Sequence, residues 1–319
     1  MKKMKIANIN HMFQKPVDAW RKPLILTCFL FVITLTCKAQ LVPFQSMYFQ
    51  NRYLANPAMA GIDKGLNLEL DYRRQWSEFP GMPRTGSFTT DYQAADKVGV
   101  GFWFNDDQSG LIRATRFEGT YAYHLPLSDQ GEHLSFGISA GLNDSRVNTS
   151  LVNGDLSDQA VAKYNQLKPY FDGDLGVAYT SPDWYIGVSL PNMRSTLFKT
   201  SDKIYNADLP IFNAIASYKI PLQSDGRAFV LEPLAAYRTV KGYNDIIDGG
   251  FNFVMNNYGL YLQGIYHSSK TIGMGFGLDQ RDYTLNFSYN METGALSNFT
   301  NGAFEIGLRL KLLKKKSAE

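Results

Sequence analysis

The sequence predicts an all-β protein: a transmembrane antiparallel β-barrel of about 14 strands, with an irregular N-terminal plug segment. Three observations predict it. Across residues 65–312, apolar and polar residues alternate at a period of two, which puts successive side chains on opposite faces of a strand. In each such stretch one row is free of charge, whereas the other carries residues such as Glu69, Asp71, Arg73, Asp91, Glu118, Glu232, Arg238 and Asp248. An Arg or Lys at the bilayer midplane costs about 2–4 kcal/mol, so the charge-free rows form the lipid face. The connections between stretches also alternate between short and long, as periplasmic turns and outer loops do in such barrels.

The chain opens on a basic stretch, Lys2, Lys3, Lys5, Lys15, Arg21 and Lys22, ahead of an apolar run at 24–35 and then Cys37-Lys38-Ala39. These are the three regions of a secretory signal, so residues 1–39 read as a cleaved leader. The apolar run of about 12 residues is too short to span a bilayer as a helix. Removing 39 of 319 residues leaves 280, and Cys28 and Cys37 leave with the leader. The mature chain is then expected to have neither a disulfide nor a thiolate metal site. Seven of the 32 Lys and Arg and one of the 29 Asp and Glu lie in the leader. That leaves 25 against 28, a net charge of −3, and no basic patch to argue for nucleic acid.

Residues 40–64 do not alternate, and Asn56-Pro57 is a turn-initiating pair. This segment is expected at the periplasmic mouth or inside the lumen, with Asn56, Pro57, Ala58 and Gly61 as its plug motif. The barrel itself is expected over 65–312. Its outward rows run over 66–72, 88–92, 98–104, 117–125, 134–142, 171–179, 184–190, 212–220, 229–237, 247–253, 258–266, 272–278, 283–289 and 304–312. Tyr72, Tyr92, Tyr123, Tyr179, Tyr237 and Tyr266 stand at row ends, where interfacial girdles belong. Pro233 and the outward glycines 119, 173, 249 and 264 fit less well, because Pro withholds a ladder hydrogen bond and Gly packs poorly. The last strand carries Phe304, Ile306, Leu308, Leu310 and Leu312 on one face and Glu305, Arg309 and Lys311 on the other, and is expected to close the barrel. Residues 313–319 form a basic tail. Connections at 93–97, 126–132, 180–183, 221–226, 255–257 and 279–281 are short. Those at 143–169, 191–210 and 291–302 are long, which implies an outer side for the long set and periplasmic termini.

Catalysis has little support. Of the mature histidines, His124, His133 and His267, none has a nucleophile fixed beside it by spacing. Asp172 and Asp174 share the lumen face of one strand; they could act as an acid–base pair, hold Ca²⁺, or meet lumen Arg and Lys. The expected protein is not an enzyme and has no cofactor or metal.

The densest functional stretch spans residues 72–85. It holds Tyr72, Arg73, Gln75 and Trp76, then a turn carrying Phe79, Pro80, Gly81 and Pro83, then Arg84. Asp106 and Gly110 lie on the next outer turn. A rigid turn with aromatic and Arg anchors suits protein recognition; it equally suits a girdle aromatic beside a stiff loop.

Asn56-Pro-Ala-x-Ala-Gly61, Tyr72-Arg-x-Gln-Trp76 and Phe79-Pro-Gly-x-Pro-x-Thr85 occur in this order. With Asn105-Asp-x4-Gly110 and Tyr121-Ala-Tyr-His-Leu125, the mature chain resembles the PorP/SprF family of type IX secretion proteins of Bacteroidetes. The resemblance implies an integral outer-membrane barrel of secretion and gliding systems. Its implied partners are the C-terminal domain of a secreted surface protein or adhesin, periplasmic secretion components, and outer-membrane lipid. Asn56-Pro57-Ala58 alone also resembles the hatch of FadL-type channels, which implies the alternative of a channel for hydrophobic or small solutes. Such a channel requires a continuous apolar pocket in the lumen, whereas the inward rows here are charged and Gly-rich.

Overall fold

In the computed structural model, β15 (Ala303–Leu312) pairs antiparallel with both β14 (Tyr283–Glu292) and β1 (Leu66–Gln75), so the chain's last strand closes its first into a barrel. The structure describes residues 47–76, 81–151, 159–197, 210–223, 226–240, 244–294, 297 and 300–313. Between the closing strands run β2 (Arg84–Ala95), β3 (Val98–Ser109), β4 (Ile112–Pro126), β5 (His133–Val147), β6 (Tyr170–Thr180) and β7 (Trp184–Leu190). They continue as β8 (Pro210–Tyr218), β9 (Ile220–Gln223), β10 (Gly226–Val240), β11 (Ile246–Met255), β12 (Leu260–His267) and β13 (Thr271–Asp279). β8 and β9 are one stave interrupted at Lys219, so fifteen segments make a wall of fourteen staves, each hydrogen-bonded to its neighbours. Closure leaves no open sheet edge, as a membrane without water demands.

The alternation holds in three dimensions. Outward residues such as Leu70, Tyr121, Phe136, Phe251, Leu262 and Phe276 are exposed, whereas Glu69, Asp71, Glu118, Glu232 and Asp248 on the other row are buried. No helix of the described residues is long and apolar enough to cross a membrane.

Several strand boundaries differ from the sequence reading: β2, β5 and β14 run to Ala95, Val147 and Glu292, into the connections expected at 93–97, 143–169 and 291–302. The turn expected at 221–226 begins later, because Pro221 and Gln223 belong to β9 and pair with Val230 and Gly226. Tyr258 lies in a 3₁₀ turn that ends on left-handed Gly259, so β12 starts at Leu260. Pro233 also finds its explanation. The ladder from β10 to β9 ends at Leu231 and the ladder to β8 begins at Leu234, so Pro233 occupies the break at Lys219. Its missing N–H costs least there. Gly119 and Gly249 face open space on the outer wall, while Gly264 lies directly opposite Phe251, whose ring covers it.

Candidate functional site

Residues 47–63 thread the lumen, and their local structure follows from two asparagines. Asn51 caps a single helical turn, α1 (Arg52–Ala55), its side chain accepting from the Leu54 N–H at 3.0 Å. Asn56 caps the 3₁₀ turn Pro57–Met59 in the same way, accepting from the Ala58 N–H at 2.9 Å, with Pro57 where no N–H is needed. The Asn56 amide then donates to the carbonyls of Val177 and Val188 at 3.1 and 3.2 Å. One side chain thus caps the plug's turn and pins it to β6 and β7.

Other plug residues reach the rest of the wall. Gly61, in the left-handed region at φ 68°, donates its N–H to Asp91 at 3.0 Å. A Cβ there would lie 2.6 Å from the Gly99 Cα, so only glycine fits. The Ala60 carbonyl meets His124 Nε2 at 3.0 Å, and Tyr53 shares a 2.7 Å hydrogen bond with Thr120. Arg52 pairs with Glu232 at 2.5 Å and lies 4.4 Å over the Tyr185 ring. Tyr48 donates to Asp248 at 2.5 Å; burial pushes its phenol well above the usual range, so it stays a donor. Asp248 is also held by Arg238 at 2.9 Å and His267 at 2.7 Å. Asp63 takes Arg309 at 2.6 Å. A cavity beside Tyr53, Pro57, Trp103 and Asp174 measures about 10 Å³, barely the space of one water.

Asp172, Asp174 and the neighbouring Glu118 are each partnered. Arg116 bridges Glu118 at 2.5 Å and Asp174 at 2.6 Å, while Asp174 and Asp172 also accept the backbone N–H groups of Asn192 and Arg194. Among the described residues no group of His, Cys, Asp and Glu is arranged to hold a metal. Arg73 is opposite Glu305 across the closing seam, and Glu69 is opposite Arg309. A serine does stand against a histidine: Ser135 lies 2.8 Å from His124 Nδ1. Both are fully buried, and the other ring nitrogen faces the Ala60 carbonyl rather than a carboxylate. This geometry orients a plug anchor and lacks the acid and the access that nucleophilic catalysis needs.

The first hairpin's residues divide among three surfaces. Arg73 is buried inside the barrel. Tyr72, Arg84 and Asp106 lie on outward rows of the wall. Gln75, Trp76, Gly81, Pro83 and Gly110 form the rim. There the Pro83 carbonyl accepts from the Gln75 N–H at 2.9 Å, and the Gly81 carbonyl from the Gly110 N–H at 3.0 Å, which ties the first two hairpins together. Trp76 adopts φ 48°, rare for a bulky residue, with its N–H given to the Gly302 carbonyl at 2.9 Å. Its indole Nε1 is buried and has no hydrogen-bond partner among the described residues. Phe79 and Pro80 lie outside the described residues. Two features escaped the sequence reading: the Asn56 clasp on two distant carbonyls, and arginines that extend the outward rows past their charge-free band.

A closed fourteen-stave barrel with an apolar outer wall and a polar, filled interior defines an integral outer-membrane β-barrel. The chain belongs to the family of type IX secretion system membrane proteins PorP/SprF, whose model matches residues 37–310. No curated protein matches it. Similar solved structures include the toluene transporter TodX of P. putida, at 11% identity and a TM-score of 0.48, covering 83% of this chain and 95% of that one. The toluene transporter TbuX of Ralstonia pickettii has 11% identity and a TM-score of 0.46, covering 80% and 90%. An outer membrane protein of Acinetobacter baumannii has 10% identity and a TM-score of 0.44, covering 78% and 99%.

Proposed function

We propose that this barrel is a plugged, non-enzymatic element of type IX secretion. In this reading it holds a secreted surface protein by its C-terminal domain at the long-loop rim, and its opposite mouth meets periplasmic parts of the machinery. The observation that carries the reading is the filled lumen: residues 47–63 are fastened to staves all around the wall by buried ion pairs and hydrogen bonds. A barrel filled by its own chain acts through its rims. The rim at Trp76, Gly81, Pro83 and Gly110 supports partner docking because it is cross-tied, so docking costs it little conformational entropy. The FadL-like alternative requires an apolar path, and the polar inward rows count against it.

Two measurements test this. Trp76→Ala with Pro83→Ala should leave a heat-modifiable barrel at normal level in the outer membrane while the surface protein appears in the medium. Unchanged retention of that protein would remove the rim from the proposal. The orientation is read separately, with a cysteine at Ser150 labelled by an impermeant maleimide on intact cells and one at Asp129 only after permeabilisation. The reverse pattern would invert the barrel.

A further inference from the structure

The outer wall of β1 to β5 carries a feature that neither the plug nor the rim explains. Strand register puts Arg74 directly opposite Arg84, Arg84 opposite Gln108, Gln108 opposite Arg113, and Arg113 opposite Arg146. All five positions continue the outward rows, so four arginines stand in one row at the long-loop end of the lipid-facing wall. Like charges directly opposite one another across a pair of strands destabilise it, and this row has two such pairs. Two of the four are neutralised within the wall. Asp106 holds Arg113 through bonds of 2.7 and 3.2 Å, and Asp144 holds Arg146 at 2.7 Å. Arg74 and Arg84 meet only neutral groups among the described residues, the Met82 Sδ and the Gln108 Oε1.

Below this row the wall grades into hydrocarbon. Two residues down come Tyr72, Gly86, Asp106, Thr115 and Asp144; two further come Leu70, Phe88, Phe104, Phe117 and Leu142, without a polar atom in any side chain. Four residues along a strand is about 13 Å, the scale on which a bilayer passes from headgroup to acyl chain. Beneath Arg74 and Arg84 the wall is hollow. Gly86 has no side chain and nothing stands where its Cβ would be. The result is a depression of about 440 Å³ lined by Leu70, Tyr72, Phe88, Phe104, Ile306 and Leu308, with Asp106, which Arg113 holds, also in its lining.

We propose that this patch binds a phosphoglycolipid of the outer leaflet, with a phosphate between Arg74 and Arg84 and one acyl chain in the depression at Gly86. The guanidinium fork matches phosphate oxygens, and two adjacent forks on one strand pair can share one phosphate or clasp two. An anion there also removes the repulsion of Arg74 against Arg84. A membrane lipid fits better than an acidic peptide because the cationic row and the apolar depression are vertically stacked on the membrane face, as headgroup and chain are in a lipid. The choice of outer leaflet rests on the orientation proposed above; binding in detergent does not, so the two can fail separately.

Native mass spectrometry of the detergent-purified full barrel tests it with three probes: bis-phosphorylated lipid A, the same lipid fully dephosphorylated, and phosphatidylglycerol. The intact protein should retain the phosphorylated glycolipid in preference to the other two. Arg74→Gln with Arg84→Gln should weaken that retention by about tenfold or more, the scale of lost charge-assisted hydrogen bonds. Gly86→Leu keeps both arginines but fills the depression, and should weaken it as well; it also decides the matter if the arginine variants fail to fold. Unchanged retention in either folded variant, or equal retention of the dephosphorylated lipid or of phosphatidylglycerol, overturns the proposal.

Discussion

On β3 to β7 the inward glycines 99, 101, 137, 176 and 187 face the plug, while Gly141 faces Phe117 and Glu118 of the next stave; on β13 the inward glycines face side chains of neighbouring staves. A Cβ at Gly99 would lie 1.9 Å from the Ala60 carbonyl oxygen, one at Gly137 2.3 Å from the Ala58 nitrogen, and one at Gly176 2.0 Å from the Asn56 Oδ1. On β13 a Cβ at Gly275 would meet the Gln263 amide at 2.5 Å, and one at Gly273 the Asn290 side chain at 2.4 Å. The plug therefore leans against one half of the wall, by its backbone at Gly99 and Gly137 and by its Tyr53 and Asn56 side chains at Gly101 and Gly176. Long polar side chains bridge to the other half, as when Gln50 donates to Gln263 at 2.8 Å and Asn286 reaches Met47 Sδ at 3.2 Å. The two halves hold the same segment by different means. The glycine half is rigid and fixes position, while the side-chain half can adjust.

The comparison breaks first at Gly137. Gly137→Val places branched carbon against the Pro57–Ala58 backbone, which is already fixed by its Asn56 cap and clasp. Overpacking of this kind costs about 1–3 kcal/mol and more where nothing can yield. The expected outcome is an unseated plug: trypsin should cut the folded barrel at Arg52, and planar-bilayer conductance should rise well above that of the parent. A barrel that stays protease-resistant and insulating would show that the glycine half is not the rigid one.

Arg52 is the intermediate case, because it reaches across to Glu232 and lies over Tyr185. Arg52→Ala leaves the Glu232 carboxylate buried without its cation, a loss of about 3 kcal/mol for a pair this enclosed. The urea midpoint of the barrel in lipid vesicles should fall accordingly. Arg52→Met with Glu232→Gln should recover most of the loss, since neither buried charge remains. If the double variant is as unstable as Arg52→Ala, packing over Tyr185 rather than the ion pair holds this point.

How far the sequence reveals this molecule depends on which solvent reads it. The lipid face is legible because hydrocarbon forbids charge: apart from Tyr258, which falls in a turn, the outward rows from 66–72 to 304–312 lie on the wall they were assigned to, and the last strand closes the first. The inward face obeys no such single rule. Its glycines are visible as residues, yet whether Gly137 faces a plug or Gly275 faces a glutamine depends on contacts far apart in the chain. Asn56-Pro57 reads as a turn, but its grip on Val177 and Val188 spans more than a hundred residues. The arginine row was half legible. Parity alone puts Arg74, Arg84, Arg113 and Arg146 outward; only strand register reveals that they share one level. The first hairpin looked like one site because its residues are consecutive, whereas alternation divides Tyr72 from Arg73 across the wall.

The smallest effect sharpens the comparison most. At Gly275 the three nearest neighbours of an added Cβ all belong to the Gln263 side chain: its Nε2 at 2.5 Å, its Cγ at 2.8 Å and its Cδ at 3.0 Å. The far end of that side chain can rotate, at the cost of loosening the bond Gln263 accepts from Gln50. Against this, alanine loses less backbone freedom on folding than glycine, an advantage of about 0.5–1 kcal/mol within a strand. The two terms oppose each other, so Gly275→Ala should shift the urea midpoint by less than about 1 kcal/mol in either direction. The plug should stay seated, with no new cleavage at Arg52 and no rise in conductance. Gly137→Ala, the matched change on the other half, adds the same single carbon against fixed backbone and should destabilise clearly more. Equal shifts for the two alanines would mean that the plug backbone yields as readily as a glutamine side chain, and the division of the wall into a rigid and an adjustable half would fall.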